Sequence, residues 1–344
     1  MRATGLSGEV TESGCVEGSR DVKNVCMTAV MVAIAGSATL VLAGPPGDPN
    51  DMYLTSDSAH EVYQFERTSP YNYVQGTYTT STPVPGNKVF SNNSQVGFIS
   101  PYLACVAGTN NDFWIGGFSG MQRISSSTGA AVGAVIPGSR LGPSKASNGN
   151  VIVGGATGVE EYDGNTGAFV RTVANVGNGF NLVVHEGNEV FTANWDNQSF
   201  GIKRNNFITG LSSGADIVTP FRPQEIGFGP DGNLYAGANY YGSGGGVYKY
   251  NMGTGTWSLW ADTTVLGQAG PHGFAWDPSD LTSFYTAQPS GDVYKFDGTT
   301  GAFLGAVAFV PTKLTDLLFQ RQVPVPGTLA LAGIAGVFAS RRRR

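Results

Sequence analysis

DVYKFDGTTGAFLGAV, residues 292–307, reads as a single β-hairpin. Its first half alternates side chains with a period of two, the mark of a half-buried strand. Asp297-Gly298 predicts a tight turn, because Asp and Gly tolerate positive φ, and a second apolar run follows. The same pattern recurs as GVEEYDGNTGAFVRTV (158–173), GVYKYNMGTGTWSLW (246–260) and GMQRISSSTGAAVGAV (120–135). Weaker copies are EVYQFERTSPYNYVQGTY (61–78) and GIKRNNFITG (201–210). Val62, Met121, Val159, Ile202, Val247 and Val293 align, at steps of 59, 38, 43, 45 and 46 residues.

Working outward, each copy is preceded by another short apolar run, such as NLYAGAN, SFYTAQP or DFWIGGF. Two of these are preceded by a further one, PQEIGFGPDGN (223–233) and PHGFAWDPSD (271–280). About four strands per 43 residues is the spacing of a propeller blade. No segment of 51–320 shows sustained helical spacing of apolar residues. The expected fold is therefore all-β: a six-bladed β-propeller with four-stranded antiparallel blades. The first copy has no strand before Asp51, whereas Thr315-Asp316-Leu317-Leu318-Phe319 stands alone at the other end. The expectation is that this last segment joins the first blade and closes the ring, which removes open strand edges. A seventh blade stays open, because the 59-residue step contains extra sequence at 79–100.

Composition agrees. The chain has 344 residues with 50 glycines, 11% aromatics and only 13% charged residues, about half the usual ~25%. Its aromatic content separates it from a disordered chain. Cys105 lies in an apolar run and reads as a buried, unreactive thiol. Cys15 and Cys26 fall in the leader, so no disulfide framework and no Cys-based zinc site can be built.

The two ends read as addresses. Residues 26–43 are apolar or small, with Arg20 and Lys23 before them, so 1–43 predicts a leader and signal peptide, in helical form, cut after Ala43. A retained membrane anchor is the alternative, since 18 residues only just reach the ~18–20 that span a bilayer. At the other end come Val323-Pro324-Val325-Pro326-Gly327, the apolar run 328–340 and Arg341, Arg342, Arg343 and Arg344. As a helix the 13-residue run covers roughly 20 Å, short of a full ~30 Å span, and the arginines would stay on the cytoplasmic side. The domains are then 1–43, a propeller at 44–320 and a tail at 321–344. Of 20 basic and 25 acidic residues, the leader holds three and four and the tail five and none. The body keeps 12 against 21, about −9. So acidic a body offers no footprint for nucleic acid.

The tail resembles the PEP-CTERM sorting signal in the order of its three parts, with Val325 where that family usually has Glu. The resemblance implies processing by an exosortase-like enzyme after passage through the secretion machinery, passing membrane attachment through the tail, and delivery to the cell surface, outer envelope or extracellular matrix. The segments GFGPDGNLYAGAN, GPHGFAWDP and YKFDGTTGAFLG resemble repeats of the NHL and streptogramin-lyase-like propellers. In the lyase-like family a histidine of this kind supports metal-assisted elimination from a cyclic ester.

His272, in Pro271-His272-Gly273 at the start of an inner strand, is accordingly the first candidate for a catalytic base or metal ligand. His185, with Glu186 beside it, is its candidate partner, and Glu225 the candidate carboxylate. The plainer reading makes His272 a loop filler and Glu225 a rim charge. Lactonase-like propellers hold calcium on inner strands. Here those positions carry Lys145, Asn181, Glu225, His272 and Asp316, a thin set for calcium or magnesium, which want six to eight oxygens or octahedral geometry, so no cofactor is expected. Asp163, Asp277 and Asp297 are read as turn residues. The run 243–246 lacks the ending of a phosphate loop, and the five tryptophans are read as packing between blades in preference to carbohydrate stacking. The expected function is an exported, non-catalytic binding or structural scaffold whose partner is a polysaccharide or envelope protein. The alternative is an extracytoplasmic streptogramin-lyase-like or lactonase-like enzyme using a metal at the channel.

Overall fold

Val62, Met121, Val159, Ile202, Val247 and Val293 occupy one place in six sheets. Each is the first or second residue of a sheet's third strand, and none is more than 1% exposed. The computed structural model describes residues 51–319, apart from 66, 70–71, 74–86, 92–100, 156, 178–181, 195–200, 239–244 and 265–269. The predicted signal helix and sorting helix lie outside the described residues.

The six sheets are the blades of a β-propeller. From the axis outward, blade 2 is Pro101–Ala107, Asp112–Gly117, Gly120–Ile124 and Ala131–Pro137. Blade 3 is Ser144–Lys145, Val151–Gly154, Val159–Tyr162 and Phe169–Ala174. Blade 5 is Pro223–Phe228, Leu234–Ala238, Gly246–Asn251 and Thr256–Asp262. Blade 6 is Gly273–Trp276, Ser283–Ala287, Asp292–Asp297 and Phe303–Phe309. Blade 4 has a regular sheet of three strands, Leu182–Glu186, Glu189–Ala193 and Ile202–Asn206. Its outer position is filled by an irregular segment tied on at two points, Asn205 with Ser212 and Ile202 with Ile217.

Blade 1 closes the ring as expected. Its inner strand is Asp316–Phe319, antiparallel to Met52–Ser56, with Met52 opposite Phe319 and Thr55 opposite Asp316. Glu61–Phe65 and Asn87–Ser91 complete it. The outer strand therefore comes from the stretch set aside as extra, 79–100. Arg67–Ser69 and Asn72–Tyr73, which the repeat pattern assigns to that strand, form a separate two-stranded ribbon. A ribbon inserted between third and fourth strands accounts for the 59-residue step without a seventh blade.

The hairpin turns differ from the expectation in one respect. Asp163 and Asp297 do not take positive φ; the glycine four residues later does, at Gly167 (φ 77°) and Gly301 (φ 74°). Asp163 Oδ1 accepts from the amides of Asn165 and Thr166 and from the Thr166 hydroxyl. Asp297 does the same with Thr299 and Thr300, and Asn206 with Ile208 and Thr209. The side chain thus builds the turn as an acceptor of turn amides, the ordinary Asx role. Gly164 and Gly298 are needed for space: a Cβ there would collide with the backbone around Gly149 or Leu281.

Faces of neighbouring blades bury the core. Between blades 5 and 6, Tyr235, Phe274, Trp276, Phe284 and Phe296 form one aromatic cluster. Each such side chain contributes about 1.5–3 kcal/mol of burial.

Candidate functional site

In blades 2 to 6 the innermost strand comes first, and in blade 1 the closing strand Asp316–Phe319 takes that place antiparallel to Met52–Ser56, so all six run in the same direction along the axis. Together they line a cavity of about 240 Å³. Its polar groups are Ser144, Lys145, His185, Glu186, Glu225 and Asp316, together with the Cys105 thiol.

Parallel inner strands splay apart around a ring, and something must satisfy their free amides. Between blades 3 and 4 the backbones meet directly, Gly142 with Leu182. The Leu103 amide of blade 2 likewise donates to the Leu141 carbonyl ahead of the blade 3 inner strand. At two other junctions a carboxylate stands in. The Phe274 amide of blade 6 donates to Glu225 Oε2 of blade 5 at 2.6 Å. The Ala104 amide of blade 2 donates to Asp316 Oδ2 of blade 1 at 2.6 Å, and the Leu317 amide to Oδ1 at 2.7 Å. Blade 6 meets blade 1 too closely for any side chain, since a Cβ on Gly273 would collide with Asp316 and Leu317.

Burial raises the Asp316 carboxyl, against the pull of its two amide donors, to about 7. Burial, then the Asp316 charge, holds Glu225 well above the usual carboxylate range, with the Phe274 amide opposing. The two buried carboxyls feel each other's charge, which disfavours ionising both at once. Burial likewise raises Glu186, whose Oε2 has no hydrogen-bond partner, and pushes the Cys105 thiol up, so it stays a thiol.

The sequence candidates do not converge. His185 is 8% exposed. Its ring meets Phe207 edge-on with centroids 4.5 Å apart, and Nε2 has no hydrogen-bond partner. Burial lowers its pKa, which favours the neutral ring. His272 does not line the cavity. It precedes the first residue of its inner strand, whereas His185 is next to last in its own, so the two lie at opposite ends of the channel. The His272 ring sits 6.2 Å from that of Tyr102, whose hydroxyl donates to Gln224. Burial, then Lys313, pushes His272 down to about 3, and its Nδ1 has no hydrogen-bond partner. Among the described residues no three His, Cys, Asp or Glu side chains form a group able to hold a metal ion. Asn181 lies outside the described residues, as do residues 243–244.

Sequence reasoning named Glu225 and Asp316 separately and missed that they interact. The available signal was an acid near the start of an otherwise apolar inner strand, twice. Asp277 is a turn residue, accepting from the Ser279 amide and hydroxyl. Trp114 and Trp276 are buried, and their indole N–H groups donate to the Gly164 and Gly298 carbonyls. Trp257 and Trp260 are half-buried on the outer strand of blade 5; Trp195 lies outside the described residues.

No family model matches the chain, and no curated protein sequence does. The fold is shared with solved structures. A chain of a nidogen/laminin complex superposes with a TM-score of 0.56 at 11% identity, over 79% of this chain and 99% of that one. A protein of unknown function from Bacteroides caccae gives 0.55 at 8% identity, over 78% and 98%. At such identities the likeness speaks for the propeller alone.

Proposed function

We propose that this chain is an exported propeller acting as a non-catalytic binding scaffold at the cell surface or in the extracellular matrix. The observation that carries this reading is the engagement of the axial carboxyls. Glu225 and Asp316 each hold an amide of the neighbouring blade, so the acids at the axis brace the ring. His272 and His185 sit at opposite ends of that channel. The superposable chain from a nidogen/laminin complex is an example of such a disc within a protein assembly, and an envelope protein or polysaccharide is the corresponding partner here.

The leader 1–43 directs export, and the tail 321–344 meets an exosortase-like enzyme at the membrane. This part of the reading rests on the Val323-Pro324-Val325-Pro326-Gly327 motif and the four arginines. Two measurements test it. The mass of the mature protein from its native cells should lack both ends, and replacing Arg341, Arg342, Arg343 and Arg344 by Ala should leave the tail on. Binding is read by glycan arrays and by capture from envelope fractions. His272→Ala and Glu225→Gln should leave any binding intact. A metal-dependent turnover of a cyclic ester abolished by His272→Ala would overturn the scaffold reading.

A further inference from the structure

Six of the nine large apolar side chains exposed among the described residues cluster at one repeated place in the blades; Phe118 and Val218 lie toward the opposite face, and Leu259 lies along the outer strand of blade 5. Just past the left-handed glycine of the outer hairpin, Phe169 is 57% and Val170 48% exposed in blade 3. In blade 6, Phe303 is 39% and Leu304 57% exposed. In blade 4, Ile208 and Leu211 flank the same turn at 68% and 71%. Burial of the preceding strands makes the contrast sharp, for Val159, Ile202 and Val293 are fully buried.

Topology places all six on one face. In a four-stranded antiparallel blade the first hairpin and the third lie at the same end. The chain leaves the described fold at Phe319, the last residue of an inner strand, and so at that end too. Beyond Phe319 the sequence runs through a short Pro-containing linker into the apolar run 328–340 and an arginine cluster. The tips of these three hairpins have no charged residue of their own, Gly164-Asn165-Thr166, Ile208-Thr209 and Gly298-Thr299-Thr300, although the Arg123 guanidinium donates to the Asn165 carbonyl and that of Arg171 to the Phe207 and Ile208 carbonyls. Asp163 and Asp297 behind them are capped by turn amides.

The geometry points to a lipid surface as the occupant of this rim: blades 3, 4 and 6 rest in the interfacial zone of the bilayer that the tail enters. The inference rests on the proposed membrane role of the tail. Blades 3 and 6 are opposite each other in a ring of six, so contact at both holds the disc flat on the membrane. Interfacial burial of Phe, Leu, Ile and Val beside uncharged Thr, Asn and Gly is what the headgroup boundary favours. A second copy pairing edge to edge fits less well, because the outer strands of blades 3 and 6 are each bulged twice, and bulges turn an edge away from pairing. The acidic body sets the lipid: net-neutral phosphatidylcholine suits it better than an anionic bilayer.

The test uses the full chain in phosphatidylcholine vesicles, with Cys15 and Cys26 replaced by Ser and Cys105 left buried. A polarity-sensitive fluorophore is placed singly by Val170→Cys, Leu304→Cys, Ser119→Cys on the opposite face, and Ala335→Cys in the tail. Brominated lipid should quench the labels at 170 and 304 at least twice as strongly as the label at 119. Quenching at 335 without quenching at 170 and 304 overturns the rim contact and leaves the tail reading standing. Quenching at 170 and 304 without quenching at 335 supports the rim and overturns the tail reading. Labels at 170 and 304 shielded from both lipid and aqueous iodide would show protein covering the rim and overturn the inference.

Discussion

Leu54 and Leu317, from the two ends of the propeller sequence, stand directly opposite one another in blade 1. Both are core residues, at 0% and 2% exposure. The closing pair is hydrophobic and long-range, so its loss should be felt by the whole ring. Leu317→Ala should cost about 2–5 kcal/mol, as buried Leu truncations do. Urea denaturation followed by tryptophan fluorescence checks this; a change under about 1 kcal/mol would mean that the closure contributes little.

The axial carboxyls give the ring a pH response. A carboxyl with a raised folded pKa has its stabilising contribution in full below its ordinary value near 3.8 and loses it as pH rises through about 7. Asp316→Asn keeps an acceptor for the Ala104 amide and removes that titration. The wild type should lose melting temperature between about pH 4 and 7, and the variant should lose less. Equal slopes would sink the assignment.

His272 acts in the opposite sense. Its pKa is lowered from 6.5 to about 3, so its contribution is present above pH 6.5 and is lost as pH falls toward 3. His272→Asn should flatten the acid limb of the stability profile and leave the limb above about pH 7 unchanged, as read by thermal melts across pH.

Asn206 holds its hairpin by accepting from two amides and a hydroxyl. Asn206→Asp should be nearly neutral, because Asp163 and Asp297 do the same work in blades 3 and 6. Asn206→Ala should cost about 1–2 kcal/mol for the lost hydrogen bonds. Equilibrium unfolding of the pair of variants distinguishes an acceptor role from mere turn propensity, in which both would lose alike.

Cys105 is 5% exposed, and burial keeps it protonated. With Cys15 and Cys26 replaced by Ser, the native protein should not react with a disulfide reagent until denaturant is added. Stoichiometric reaction in native buffer would mean that the channel opens on the timescale of the assay.

Much of this architecture is legible in the amino acids because it is periodic. The repeated Val, Ile or Met at the start of each third strand, the Asx-x-x-Thr-Gly turn and the lone strand around Leu317 are local patterns, and together they point to six blades and their closure. Errors arose where periodicity lapsed. The ribbon at 67–73 interrupts blade 1 and displaced the outer strand, and it left a seventh blade open. The positive φ fell on Gly167 and Gly301 because hydrogen bonding by Asp163 and Asp297 sets the turn, not their own backbone freedom.

The sequence by itself determined the repeating unit, the order of strands and which ends meet, since each follows from hydrophobic alternation within some forty residues. Only the tertiary structure decided that Glu225 and Asp316 feel one another while His185 and His272 face opposite ends of the channel. The physical reason is that inner strands run side by side around an axis. Which side chains converge there depends on the stagger between blades far apart in the chain, and no local period encodes that stagger.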